Sequence, residues 1–259
     1  MIKRSLYTAL CLVVSLAMAT APAWAVSLED VTRTLETPFQ AATAEKYRIS
    51  DYSADFLQES KIASLDRLQR ANGRVEVAFD YSGEQAAPQV RFRWHYEQPT
   101  TQEIVSDGRM LWVYLPENNQ VIQSEIEQVN EARENDPMAF LTGLGNLSRD
   151  FQISQATPDQ DSDGNYALEL TPRQASALIS RLVIVVDQAA VAAYHKRGKQ
   201  DCNLRFPIRS TTVYDPNGNS TVIEFNNLRV NRGLPAESFD FKLPAGVQVV
   251  SPIGKDLGL

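Results

Sequence analysis

Cysteine, histidine and long apolar runs are scarce in this chain of 259 residues, which has two cysteines and two histidines. The sequence also lacks a glycine-rich phosphate loop and a nucleophile elbow. No cysteine or carboxylate stands at metal-ligand spacing from either histidine. These absences argue against a hydrolase, a nucleotide-dependent enzyme and a zinc enzyme. We therefore expect no catalytic residues, no metal and no cofactor.

The two histidines have unremarkable sequence contexts. His95 lies among charged residues on the polar side of an alternating segment, and His195 lies in the basic stretch 194–199, which we interpret as a solvated loop. The stretch 161–164, with the sequence DSDG, resembles the start of a calcium loop but lacks the glutamate that would close it. We interpret it as a turn.

The first 25 residues have the pattern of a secretory signal peptide. Lys3 and Arg4 precede a short apolar run, and Ala23-Trp24-Ala25 forms an A-x-A cleavage site. The apolar run is shorter than the ~20 residues that span a bilayer. We therefore predict that residues 1–25 are removed and that residues 26–259 form a single domain.

Cleavage would leave one cysteine, Cys202, so no disulfide within the chain is expected. The remaining 23 basic and 32 acidic side chains give a net charge of −9. Such a surface repels nucleic acid and anionic lipid headgroups, so nucleic acid is not an expected partner.

Residues 90–116 carry the strongest positive signal in the sequence. Val90, Phe92, Trp94 and Tyr96 alternate with polar residues, which indicates a strand with one apolar and one polar face. Asp107-Gly108 predicts a hairpin turn. The next strand, 110–115, is apolar at every position, so its sequence does not assign its two faces.

Ten or more short strands are expected along the rest of the chain, after a helical segment at 27–48. The last two are predicted at 239–243 and 247–250. Evenly spaced strands with turn signals favour an antiparallel barrel or a strongly curved sheet. The predicted fold class is therefore mainly β, within the α+β class.

Aromatic residues are concentrated on consecutive predicted strands, and a short apolar helix is predicted at 137–143. These residues could fill an ordinary core, or they could line a cavity for an apolar ligand, and the sequence leaves both readings open. The candidate residues for acyl-chain binding are Phe56, Phe79, Phe92, Trp94, Tyr96, Trp112 and Tyr114 on the strands, and Met138, Phe140 and Leu141 on the helix.

Several strings resemble the periplasmic outer-membrane lipoprotein carrier family, LolA. They are Gln98-Pro99 after Phe92-Arg93-Trp94, the segment VSDG at 105–108, the segment LWVYLP at 111–116, and the ending FDFKLP at 239–244. The resemblance implies an unclosed antiparallel β-barrel with a helical lid over an apolar cavity. It also implies a periplasmic chaperone that carries lipoproteins, by their acyl chains, from an inner-membrane ABC transporter to an outer-membrane acceptor. We expect a monomer.

Two departures from the family pattern are visible. The family usually has an arginine before the proline that precedes the Phe-x-Trp strand, and that arginine helps to hold the lid closed; here Ala87 precedes Pro88. Arg91 is the candidate replacement as lid latch. The segment 188–203 is also longer than the turn that the family usually has at this position. These departures keep a second hypothesis open, namely a lipid or lipoprotein sensor with the same fold.

Overall fold

The computed structural model describes residues 26–83, 88–126, 144–176, 179–196 and 204–251. The predicted signal peptide, Ala87, Cys202 and the predicted lid residues Met138, Phe140 and Leu141 lie outside these ranges. The predictions for those residues therefore stay predictions.

Twelve strands in the described residues form one curved sheet with the order β12-β6-β5-β4-β3-β2-β1-β11-β10-β9-β8-β7. Edge strands β7 and β12 do not pair with each other, so the sheet is unclosed, and the predicted fold class is confirmed. The strands are β1 (Asp51–Ile62), β2 (Arg67–Asp80), β3 (Gln89–Gln98), β4 (Gln102–Ser106), β5 (Met110–Leu115), β6 (Gln120–Glu125), β7 (Phe151–Gln160), β8 (Tyr166–Pro172), β9 (Arg181–Val186), β10 (Ile208–Tyr214), β11 (Ser220–Val230) and β12 (Gln248–Val250).

The predicted turn at Asp107-Gly108 is confirmed. Gly108 has a φ of 92°, which favours glycine. The Asp107 carboxylate accepts the backbone N–H groups of Arg109 at 2.8 Å and Met110 at 2.7 Å. This turn fixes how β5 follows β4, and therefore which residues of β5 face each side of the sheet.

In the part of the chain that the structure describes, three short α-helices accompany the sheet: α1 (Leu28–Glu36), α2 (Leu147–Asp150) and α3 (Gln188–His195). Short 3-10 turns occur at Thr37–Phe39 and Leu144–Asn146. At the start of α1, the Ser27 hydroxyl accepts the Asp30 N–H, and the Asp30 carboxylate accepts the Ser27 N–H. This reciprocal capping box satisfies two of the N–H groups that a helix leaves unpaired.

His195 is the last residue of α3, so the prediction of a loop there was wrong. The helix begins after Asp187, whose carboxylate accepts the Ala190 N–H at 2.8 Å. The sequence after this cap is rich in alanine, which has the highest helix propensity, so a helix forms here although the basic stretch predicted a loop. Among the described helices, none is long and apolar enough to cross a bilayer.

The chain after β11 crosses the outside of the sheet. We call residues 232–247 the outer strap. The strand predicted at 239–243 is wrong: Ala236–Phe239 forms a 3-10 turn and the following residues are irregular. The strand predicted at 247–250 is confirmed in part, because β12 spans Gln248–Val250. It pairs with β6 in parallel, whereas the sequence predicted an antiparallel sheet.

Candidate functional site

The strand register places most of the predicted aromatic wall on one face of the sheet, which we call the concave face. Directly opposed residues on neighbouring strands share a face. Tyr52, Val77 and Phe92 are opposed across β1, β2 and β3, as are Ala54, Val75 and Trp94. Phe79 shares this face because it is two residues from Val77 on the same strand.

The aromatic residues of the concave face are in close contact. The Phe56 ring lies 4.9 Å from the Trp94 ring and 5.0 Å from the Tyr96 ring, centroid to centroid, in edge-on geometry. Gly73 is opposed to both Phe56 and Tyr96. A Cβ atom at Gly73 would overlap the His95 carbonyl oxygen and lie 3.0 Å from the Phe56 ring. The missing side chain therefore permits this aromatic contact.

Trp112 and Tyr114 lie on the opposite face, so the prediction that they share a wall with Phe92 and Trp94 was wrong. Trp112 is opposed to Val105, which is opposed to Arg93 on the polar face of β3. Both rings contact Phe241 of the outer strap, at 5.8 Å for Trp112 and 6.1 Å for Tyr114.

Other apolar residues of β4 and β5 take those places on the concave face. Val113 is opposed to Ile104, which is opposed to Trp94, and Leu111 shares their face. Val113 and Leu111 are half-buried. The sequence could not distinguish them from Trp112 and Tyr114, because every side chain of this strand is apolar or aromatic. We infer that a cavity on this face would be bounded by Ile104, Leu111 and Val113.

Helices and turns cover the deeper part of the concave face. Side chains of α1, α2 and the two 3-10 turns belong to the same buried core as the wall: Val31, Leu35, Phe39, Leu144 and Leu147. Phe56 is 1% exposed, Phe92 is 7% exposed and Trp94 is 5% exposed. Among the described residues, these helices and turns and the inner side chains of the curved sheet form one buried core with the wall.

Two polar contacts join the parts of this cover. The Ser148 N–H donates to the Glu36 carboxylate at 2.6 Å, and the Gln40 side-chain amide donates to the Gly145 carbonyl at 3.1 Å. They link the end of α1 and the following turn to the segment 144–148. The cover is thus connected within itself, and it is joined to the end of β8 by Arg173, which donates to the Ser148 carbonyl at 3.3 Å and to the Asp150 carbonyl at 2.9 Å.

The concave face becomes polar towards the β1–β2 hairpin. The Tyr96 hydroxyl donates to the Gln58 carbonyl at 3.1 Å, and the Gln58 amide donates to Ser60 at 3.2 Å. Ser60 and Thr221 share a hydrogen bond of 3.1 Å. Sequence reasoning missed these residues, although Gln58 and Ser60 continue the period-two pattern of Phe56.

Arg91 and Arg93 lie on the outer face and contact the strap. The Arg93 guanidinium donates to the carbonyls of Ser238 at 2.7 Å and Asp240 at 2.9 Å, and to the Glu103 carboxylate at 2.7 Å. Arg91 lies over the Phe239 ring at 5.6 Å. Both arginines therefore lie on the face opposite Phe92, so Arg91 is not proposed as a lid latch.

Each histidine lies beside a carboxylate. His95 Nδ1 lies 3.3 Å from Glu103 Oε1, and His195 Nε2 lies 3.7 Å from Asp30 Oδ2. Within the described ranges, no group of three His, Cys, Asp or Glu side chains could hold a metal ion. The segment 161–164 is a turn, as predicted, with Asp161 accepting the N–H groups of Asp163 and Asn165 at 2.9 Å each.

An open groove of about 560 Å³ lies on the outer face beside the strap. Its lining includes Arg74, Arg229, Arg232, Asp55 and Glu76. Acyl chains are unsuited to this groove, because charged side chains would lose hydration without gaining a partner. The apolar wall on the concave face is the better candidate for a lipid.

Comparisons with known proteins identify a family. Residues 48–201 match the family model described as outer membrane lipoprotein carrier protein LolA. An outer-membrane lipoprotein carrier protein of Bordetella avium is 30% identical over 235 residues, covering 91% of this chain and 92% of the relative. Its counterpart from Bordetella pertussis is 31% identical over 234 residues, covering 90% and 91%.

Among solved structures, a LolA superfamily protein from Nitrosomonas europaea matches with a TM-score of 0.41 and 14% identity, covering 84% of this chain and 99% of that one. The assignment rests on the family model, which matches more than half of the chain, and on the Bordetella relatives, which match nearly all of it. This chain therefore belongs to the LolA family of outer membrane lipoprotein carrier proteins.

Proposed function

We propose that this protein is a periplasmic carrier that binds the acyl chains of lipoproteins on its concave face. In this proposal, an inner-membrane ABC transporter loads the carrier and an outer-membrane acceptor unloads it. Residues 1–25 direct export and are removed, and residues 26–259 act as one monomeric domain without covalent chemistry. The proposed acyl-contacting residues on the sheet are Phe56, Phe79, Phe92, Trp94 and Tyr96. The proposed lid residues are Met138, Phe140 and Leu141.

The observation that carries this proposal is the way the aromatic wall is closed. Phe39 of the turn Thr37–Phe39 lies 5.2 Å from the Phe79 ring of the wall, and side chains of the short helices and turns share one buried core with Phe92 and Trp94. A cover of this kind can move as a unit and expose the wall, whereas a second sheet could not without breaking a ladder of backbone hydrogen bonds.

A carrier is needed because lipoprotein acyl chains cannot cross water unaided. Burial of one methylene is worth about 0.8 kcal/mol, so three chains of ~15 methylenes would expose on the order of 30 kcal/mol to solvent. A site that stays open when empty would leave its own apolar wall in water.

Closure of the empty site also favours release. Cargo has to displace apolar contacts that the cover already makes with the wall, so the net free energy of binding is smaller than the gross burial. Direction can then be set by the relative affinities of the transporter and the acceptor, and any energy input comes from those partners.

A release assay tests the proposal. Spheroplasts carrying a radiolabelled lipoprotein would be incubated with the purified protein, and the soluble fraction would be analysed for a one-to-one complex. We expect the lipoprotein to appear in solution with the carrier. Lipoprotein that stays in the membrane at every carrier concentration would contradict the proposal.

A variant tests the site in the same assay. Phe92→Glu places a charge in an apolar environment, so we expect release to be lost. Glu76→Gln on the outer face of the neighbouring strand is the control and should release normally. Circular dichroism would establish that both variants are folded, and normal release by a folded Phe92→Glu protein would contradict the assignment of the wall.

A further inference from the structure

The Tyr52 hydroxyl is a buried polar group without a partner. Tyr52 is the second residue of β1 and is 0% exposed. Its oxygen has no hydrogen-bond partner among the described residues. Nearly all buried hydroxyl groups in folded proteins are hydrogen-bonded, so an exception in a candidate binding site calls for an explanation.

The surroundings of this hydroxyl are aromatic. The Tyr52 ring lies 4.4 Å from the Phe206 ring and 6.2 Å from the Phe79 ring. Phe39, from the turn that covers the sheet, contacts both of these rings, at 6.0 Å and 5.2 Å. Tyr52 is therefore on the concave face, directly beneath part of the cover that the proposed cargo would displace.

Tyr52 can act as a donor at any physiological pH. Burial away from water raises the pKa of the Tyr52 hydroxyl well above its usual range, so the proton stays on the oxygen. A water molecule is a poor partner, because an ordered internal water needs two to four polar neighbours and the rings supply none. A carboxylate is also unsuitable, since a charge would be costly in this apolar setting.

A neutral acceptor carried on an otherwise apolar molecule meets these conditions. The carbonyl oxygen of an acyl ester or amide is such an acceptor, and it lies where each acyl chain joins its polar group. We propose that the Tyr52 hydroxyl donates a hydrogen bond to an acyl-linkage carbonyl of the bound lipid. This inference rests on the proposed carrier function and makes Tyr52 a specificity-determining residue that distinguishes acyl lipids from ether-linked lipids.

Tyr81 provides a matched comparison. Its hydroxyl donates to the Ile49 carbonyl at 2.8 Å, and its ring lies 6.3 Å from that of Phe79. Tyr52→Phe removes an unpaired hydroxyl, so we expect the empty protein to melt at the same temperature or higher. Tyr81→Phe leaves the Ile49 carbonyl without its partner, so its melting temperature should fall.

Two synthetic lipopeptides test the inference. One is an S-diacylglyceryl-cysteine peptide with palmitoyl esters, and the other has ether-linked hexadecyl chains of matching length. Their dissociation constants would be measured with the wild-type protein, Tyr52→Phe and Tyr81→Phe. We expect Tyr52→Phe to bind the ester peptide roughly threefold to tenfold more weakly and the ether peptide as tightly as the wild type does.

The outcomes separate the two claims. An unchanged ratio of ester to ether affinity in Tyr52→Phe would overturn the role of Tyr52 and leave the carrier proposal in place. An equal change of this ratio in Tyr52→Phe and Tyr81→Phe would also overturn it. Failure of the wild-type protein to bind either lipopeptide would contradict the carrier proposal itself, and this inference with it.

Discussion

Phe56 and Tyr96 are opposed to the same residue, Gly73, and their rings meet edge-on with centroids 5.0 Å apart. The glycine leaves the space between the two flanking strands free for these rings. The edge of the aromatic wall therefore depends on a residue without a side chain in the middle of a strand, where glycine is otherwise unfavourable.

We expect Gly73→Ala to destabilise the protein. The added Cβ would overlap the His95 carbonyl oxygen, and that atom belongs to a paired strand that cannot move freely. Overpacking of this kind costs about 1–3 kcal/mol. Urea unfolding would measure the change. Glu76→Ala, on the outer face of the same strand, should change the free energy of unfolding by less than about 0.5 kcal/mol. Equal effects at both positions would contradict the close approach at Gly73.

Arg93 should contribute far more to stability than an exposed arginine does. Its side chain is 23% exposed and bonds two strap carbonyls and Glu103. We expect Arg93→Ala to lower the free energy of unfolding by about 2 kcal/mol and to speed hydrogen exchange in the strap.

The matched control for Arg93 is Arg70→Ala. Arg70 lies 2.9 Å from Glu59, but its side chain is 78% exposed, so solvent screens the pair. We expect a loss below about 0.5 kcal/mol. If exchange in residues 236–243 is unchanged by Arg93→Ala, Arg93 does not hold the strap.

The Asp30 carboxylate gives a pH-dependent contribution at the start of α1. Hydrogen bonds from the Ser27 hydroxyl and then the Ser27 N–H lower the pKa of Asp30, and the charges of His195 and Arg33 act in the same direction. Because the folded-state pKa is depressed, the stabilisation is fully present above the unfolded value of about 4 and is lost as pH falls through the folded value.

Asp30→Asn tests this contribution. The variant should be less stable than the wild type at neutral pH, by roughly 1 kcal/mol for a cap of this kind. The difference should shrink as pH falls below about 4. Thermal unfolding across this pH range would measure it. A difference that stays constant with pH would show that charge on Asp30 is not its source.

The sequence predicted the faces of β3 correctly and those of β5 incorrectly, and the difference has a physical cause. In β3 the charged residues Arg91 and Arg93 alternate with apolar ones, so one face is marked as outer. In β5 no charged side chain marks a face, and a shift of one residue would exchange Trp112 with Val113. The register set by the Asp107-Gly108 turn decided between them.

The outer strap was beyond the reach of local patterns. Phe239 and Phe241 alternate with polar residues, as they would in a strand. The carbonyls of Ser238 and Asp240, however, accept hydrogen bonds from the Arg93 side chain. Long-range contacts therefore replaced the sheet pairing that the alternation predicted. Tyr52 was equally hidden, since its missing partner becomes visible only when the whole neighbourhood is known.

The adjacent residues Trp112 and Val113 allow the most direct test of the central claim, that acyl chains bind the concave face. Both are half-buried on β5, but they face opposite sides of the sheet. The dissociation constant of a fluorescent palmitoyl peptide would be measured for the wild type, Val113→Glu and Trp112→Glu. The account predicts binding roughly tenfold or more weaker for Val113→Glu and within about twofold of the wild type for Trp112→Glu. Weaker binding by Trp112→Glu than by Val113→Glu, with both variants folded, would contradict it.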